Sequence, residues 1–182
     1  MHIFTINNDR AMKLSTTLTT ALNTQIAKEA FASQIFLSNA SWAEKHGYSG
    51  IANFLFRHSQ EERNNMMIII EYLLKRGAEV KITAIPAPPE NPRNINICLE
   101  EVYKVEMIYT NGIYEIAKMS ADEKDWAAHK FIQWFIKEQI EEETFAKSLL
   151  NKMERENIST NENASFGTNI RLQNPNINRQ QQ

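Results

Sequence analysis

The chain has 182 residues, 42% of them hydrophobic and 23% charged, which is the size and make-up of one globular domain and not of a disordered chain. Its net charge of −2 is the small difference between 20 basic and 22 acidic residues, which excludes a nucleic-acid binder steered by a basic field. The single cysteine, Cys98, excludes an intramolecular disulfide framework and a CxxC site, and no apolar run approaches the roughly 20 residues that span a bilayer, so a soluble, cytoplasmic protein without a membrane partner is expected.

Residues 1–14 read as an N-terminal extension: they lack the basic region and sustained apolar run of a signal peptide. The first helical segment, residues 15–46, places Leu18, Leu22, Ile26, Glu29, Ser33, Phe36 and Ala40 on one seam at alternating spacings of three and four. Gly47 and Gly50 mark a break. The second segment, residues 49–76, carries the seam Ile51, Leu55, His58, Glu62, Asn65, Ile69 and Tyr72. Gly77 ends it, and Pro86, Pro88, Pro89 and Pro92 fill a connection that reaches about Asn94.

The third segment, residues 95–123, runs Leu99, Val102, Glu106, Tyr109, Ile113 and Ile116. The fourth, residues 124–154, runs Ile132, Phe135, Gln139, Glu142, Ala146, Leu149 and Met153. Helices of about 30 residues are about 45 Å long, and the connection, at about 3.3 Å per residue, can run that whole length. Short breaks near Gly47 and Glu123 make antiparallel pairs, so the expected fold is an all-α bundle over residues 15–156, in which one up-down pair crosses over to a second. Residues 157–182 are rich in Asn and Gln and read as a polar tail, the place where a short fifth helix would fall.

Each seam is interrupted near its middle by an acid or an amide: Glu29, Glu62, Glu106, Gln139 and Glu142. Burying an ionised carboxylate without a partner costs several kcal/mol, about the scale of a domain's whole stability, and these seams contain no Lys or Arg. A bound cation resolves that conflict.

Glu29, the run FLFRHSQEERNN, Glu106 within YKVE, and QWFIKEQIEEE, in order on four helices, together resemble a bacterial non-haem ferritin over residues 13–153. The resemblance implies a subunit of a homo-oligomeric 24-subunit cage, which oxidises Fe(II) with O2 or peroxide at a dinuclear iron centre and stores the ferric mineral. It further implies that Glu29 and a bridging Glu62 hold the first iron and Glu106 and Glu142 the second, with Gln139 close by. Glu61, Glu138 and Glu141 match the positions of a third, weaker iron site.

Two positions depart from the family pattern. Asn65 stands three residues after Glu62, where the ExxH motif has its histidine, which deprives the expected site of its only imidazole; the Asn65 amide is a weaker ligand for Fe(II). Phe36 stands where such ferritins often place a tyrosine, seven residues after the first Glu. His58, one turn before Glu62, is expected to be a hydrogen-bonded structural histidine. Met66 and Met67 are expected to pack rather than ligate haem, since the position directly after the ExxH glutamate, Met in haem-binding relatives, is Arg63.

Three function classes follow: a ferroxidase-active storage ferritin, a storage or structural subunit whose centre is too degraded for fast turnover, and a ferritin-like oxidase of an organic substrate. The last usually keeps two ExxH motifs, and this chain has none.

Overall fold

A computed structural model describes residues 13–156, the side chains as far as Met153. They form α1 (Thr16–Lys45), α2 (Ser49–Lys75), α3 (Ile95–Asp122) and α4 (Trp126–Glu156). The polar segment 157–182, with its expected fifth helix, and residues 1–12 lie outside the described residues.

Local chemistry sets the helix ends. The Ser15 hydroxyl accepts from Leu18 N at 3.0 Å, and the Asn94 amide oxygen accepts from Ile97 N at 3.0 Å, each satisfying a first-turn donor. Past α1 and α2 the chain turns through Gly47 and Gly77 at φ 82° and 63°, a left-handed conformation that glycine adopts without strain. The fourth helix starts two residues later than the sequence suggests. Lys124 takes the left-handed turn, with φ 57°, and Asp125 acts as the cap, its Oδ1 accepting from Ala128 N at 3.0 Å.

Two apolar clusters place the helices relative to one another. One joins Ala40, Trp42 and Ala43 of α1 to Ile51 and Leu55 of α2, Ile95 and Leu99 of α3, and Leu149 and Met153 of α4. The other joins Leu18 and Leu22 to Ile69, Leu73, Ile113, Ala117 and Ile132. The start of α3 therefore lies beside the end of α1, whereas α2 ends beside the start of α1, so the segment between them crosses the full length of the bundle. That segment is pinned on the way by Asn23, whose Nδ2 donates to Glu79 O at 2.9 Å and whose Oδ1 accepts from Lys81 N at 2.6 Å.

The expected all-α four-helix bundle with a long crossover is thus the observed fold. Burial follows the seams closely, except that Ser33, Tyr72 and Glu142 are half-buried. Cys98 is buried, and burial pushes its thiol up to about 12. No helix among the described residues is long and apolar enough to cross a membrane.

Candidate metal centre

Between the two apolar clusters lies a polar layer. Glu29, Glu62 and Glu106 are each 2% exposed or less, and Asn65 and Gln139 are buried with them. The helical spacing that forces these residues inward is the same that builds the core: Glu29, Asn65, Glu106 and Gln139 each sit three or four positions from an apolar neighbour on their seam, and Glu62 sits midway between Leu55 and Ile69, seven positions from each.

Glu106 is the hub. Its Oε1 lies 2.5 Å from His58 Nε2, and its Oε2 accepts from Gln139 Nε2 at 2.5 Å, so one carboxylate of α3 ties α2 to α4. His58 Nε2 is also 4.0 Å from Glu62 Oε1, and its other nitrogen, Nδ1, is 3.2 Å from Glu61 Oε2. On the α1 side Gln25 donates to Glu29 Oε1 at 2.6 Å, and the Glu29 and Glu62 carboxyls lie close enough to shift each other's titration. Among the described residues, one atom each of His58, Glu62 and Glu106 forms a group lying within 4.8 Å of one another, all three residues buried.

The residues singled out in the sequence are thereby brought together in part. Glu29, Glu62 and Glu106 interact directly in the layer, with Gln139 bonded to Glu106. Glu142 is half-buried and close enough to feel the Glu106, His58, Glu29 and Glu61 charges. Glu61, Glu138 and Glu141 lie half-buried at the margin, Glu61 held by His58.

His58 is hydrogen-bonded, as expected, but its partner is the hub of the cluster, so the layer is not without an imidazole. Two further residues of the layer carry little signal in the sequence. Gln25, buried four residues before Glu29, orients that carboxylate; the i, i+4 spacing was its only signal. Tyr109, taken as a seam residue, has a phenol that burial and the charges of Glu29, Glu62 and Glu106 keep protonated.

Electrostatics show what the arrangement needs. Burial pushes the Glu62 carboxyl well above its usual range, and the Glu29, Glu142 and Glu106 carboxyls push it further. Glu142 is raised in the same way by burial and Glu106, with His58 opposing. Glu29 is raised by burial, restrained by its hydrogen bonds to Glu62 and Gln25. Burial pulls His58 down, but Glu106 and Glu61 outweigh it and hold the imidazole well above 6.5.

The layer therefore keeps protons that a cation could displace. The donor set also fits a hard cation: the Oε2 atoms of Glu141 and Glu142 are buried with no hydrogen-bond partner.

Comparison with known proteins accords with this geometry. Residues 19–156 match the Ferritin family, described as a ferritin-like domain. A probable bacterial non-heme ferritin-like protein of Haemophilus influenzae is 34% identical over 140 residues, covering 77% of this chain and 85% of the relative. The bacterial non-heme ferritin of Staphylococcus aureus is 31% identical over 153 residues, covering 84% and 91%. An open pore ferritin from the hyperthermophilic archaeon Archaeoglobus fulgidus superposes with a TM-score of 0.83 at 30% identity, covering 88% of this chain and 97% of that one. With matched residues that span all four helices and the carboxylate layer between them, the chain belongs to the ferritin family.

Proposed function

We propose that this protein stores iron, as a cytoplasmic homo-oligomeric cage of 24 subunits, and that the polar layer takes up and oxidises Fe(II). The observation that carries this reading is the convergence of buried carboxylates with raised pKa values on one imidazole, a set with too few internal partners to neutralise it. Glu29 and Glu62 would hold the first Fe(II), with Glu62 bridging to a second held by Glu106 and Glu142. Hard oxygen donors favour the ferric state and so lower the cost of oxidation. Two Fe(II) ions each give one electron to O2, which takes two protons and leaves as H2O2; peroxide as acceptor takes two electrons and two protons and leaves as two waters. Glu61, Glu138 and Glu141 at the margin suit a third, weaker site on the path of the ferric product.

Apolar side chains left more than half exposed, among them Leu74, Ile82, Ile108, Trp126 and Ile140, support assembly with other copies. Met66 packs against the core whereas Met67 is exposed, and Arg63 at the position directly after Glu62, Met in haem-binding relatives, speaks against haem.

A second reading has its own support. Asn65 at the ExxH position and Phe36 in place of a phenol suit a storage subunit with a slow centre, one that nucleates mineral on carboxylates or relies on an active partner subunit. Stopped-flow oxidation of Fe(II) by the purified cage separates the two: a rate above buffer that Glu62→Ala abolishes supports the ferroxidase, and a rate equal to buffer leaves the slow storage subunit. A monomer or dimer in size-exclusion chromatography would refute the cage.

A further inference from the structure

The family pattern puts the imidazole three residues after the bridging glutamate, and this chain has Asn65 there. One turn earlier in the same helix stands His58, and its surroundings are those of a ligand. Its Nε2 faces Glu106 Oε1 at 2.5 Å and Glu62 Oε1 at 4.0 Å. Two ligand atoms sharing an ion at about 2.1 Å from each lie about 3 to 4.2 Å apart. An ion can bridge Nε2 and Glu106 Oε1 if their contact opens by about half an ångström, and Glu62 Oε1 at 4.0 Å from Nε2 is already within range, the three ligand atoms lying within 4.8 Å of one another.

The far nitrogen is prepared as well. Nδ1 is 3.2 Å from Glu61 Oε2, the carboxylate–histidine arrangement that orients the ring so that the opposite nitrogen can take a metal once its own proton leaves. The ring is held between Phe36 and Phe54, with centroids 4.5 and 5.2 Å away. Phe36 thus has a purpose at the position where a tyrosine is missing: it fixes the plane of the imidazole. The other described histidines are engaged elsewhere, His46 on the Trp42 carbonyl and His129 on Ser120, Ala117 and Gln133.

We propose that His58 Nε2 replaces the missing ExxH histidine as the nitrogen ligand, binding a divalent cation together with Glu62 and Glu106. The cation takes the place of the proton between Nε2 and Glu106, and that proton leaves to solvent. The proposal rests on the metal-binding reading of the layer, and the test separates the two.

The probe is the vanadyl ion, a hard cation whose pulsed-EPR modulation reports a directly bound imidazole nitrogen. Wild-type protein should bind it saturably with nitrogen modulation. His58→Gln should lose the modulation and bind at least about ten-fold more weakly, whereas Asn65→Ala, His46→Gln and His129→Gln should keep the modulation. Saturable binding that Glu62→Ala abolishes, but without nitrogen modulation in the wild type, overturns the role of His58 and leaves the carboxylate site standing. Modulation that survives in His58→Gln, or disappears in His46→Gln or His129→Gln, also overturns it. No saturable binding at all overturns both readings. If His58→Gln does not fold, the wild-type signal still decides together with His2→Gln, His46→Gln and His129→Gln, all of which should keep the modulation.

Discussion

Gly112 lies in the interior of α3, where alanine is normally preferred by about 1 kcal/mol. A Cβ there would stand 2.6 Å from Lys28 Nζ and 2.9 Å from Gln25 Oε1. The lysine ammonium is the end of a flexible chain and can swing away at little cost. Gln25 cannot: it is fully buried, and its amide donates to Glu29 at 2.6 Å. To restore ordinary contact, the amide must retreat by about half an ångström, which stretches that bond to about 3.1 Å. The stretch weakens a hydrogen bond to a carboxylate worth about 1.5–3 kcal/mol, and displacing a fully buried side chain adds overpacking strain of about 1–3 kcal/mol; together these exceed what the helix gains, so Gly112→Ala should destabilise the metal-free protein by about 1 kcal/mol. That corresponds to about 2–4 °C in Tm for a domain of this size. Thermal unfolding in EDTA followed by circular dichroism reads the first effect, and anaerobic Fe(II) titration should show binding weakened several-fold as Glu29 loses its orientation. A stabilised variant with unchanged affinity would mean that Gly112 is not reserved for Gln25.

Stability of the metal-free protein should fall as pH rises from about 5 to 8. Glu29, Glu62 and Glu142 have folded-state pKa values above the ordinary 4.5, and His58 lies well above 6.5, so in all four the folded state holds protons that the unfolded state has released. The lowered Asp125 acts with the opposite sign only below about pH 4, outside this window. Urea midpoints in EDTA at pH 5.5 and 8 check the slope, and a higher midpoint at pH 8 contradicts it. Asn65→His should change the rate of Fe(II) oxidation by less than about ten-fold, or 1.4 kcal/mol in barrier, because the proposed ligand His58 would already supply the imidazole; a hundred-fold gain in stopped-flow would count against that. Asp125→Ala should cost about 2–3 kcal/mol in urea unfolding, since it removes both the α4 cap and a largely buried pair with Arg76 at 2.8 Å. A loss below 0.5 kcal/mol, on the scale of an ordinary surface change, would show that neither contact matters.

The seams were legible because one helical period both fills a core and exposes its exceptions. Leu18, Leu55, Glu62, Glu106 and Ile113 are all buried where the three-four spacing puts them. The crossover followed from chain length alone, without the Asn23 contacts that pin it. What periodicity cannot give is the direction of a side chain's polar atoms. His58 was on the right seam, yet only the folded geometry shows one ring nitrogen aimed at Glu106 and the other at Glu61. Gln25 escaped notice because its significance lies in an amide's orientation toward Glu29 and in the space left at Gly112. Glu142 is only half-buried because α4 turns that position toward the margin, where the acidic run 141–143 continues. The start of α4 was misplaced by two residues because nothing in the sequence marks Lys124 as left-handed.

The buried carboxylates should together form an iron site. Anaerobic calorimetric titration of the metal-free cage with Fe(II) tests it most directly. Saturable binding of two ions per chain with release of protons is expected, reduced to residual weak binding in Glu62→Ala, which removes the carboxylate proposed to bridge the two ions. Binding that fails to saturate, or that Glu62→Ala leaves unchanged, would contradict it.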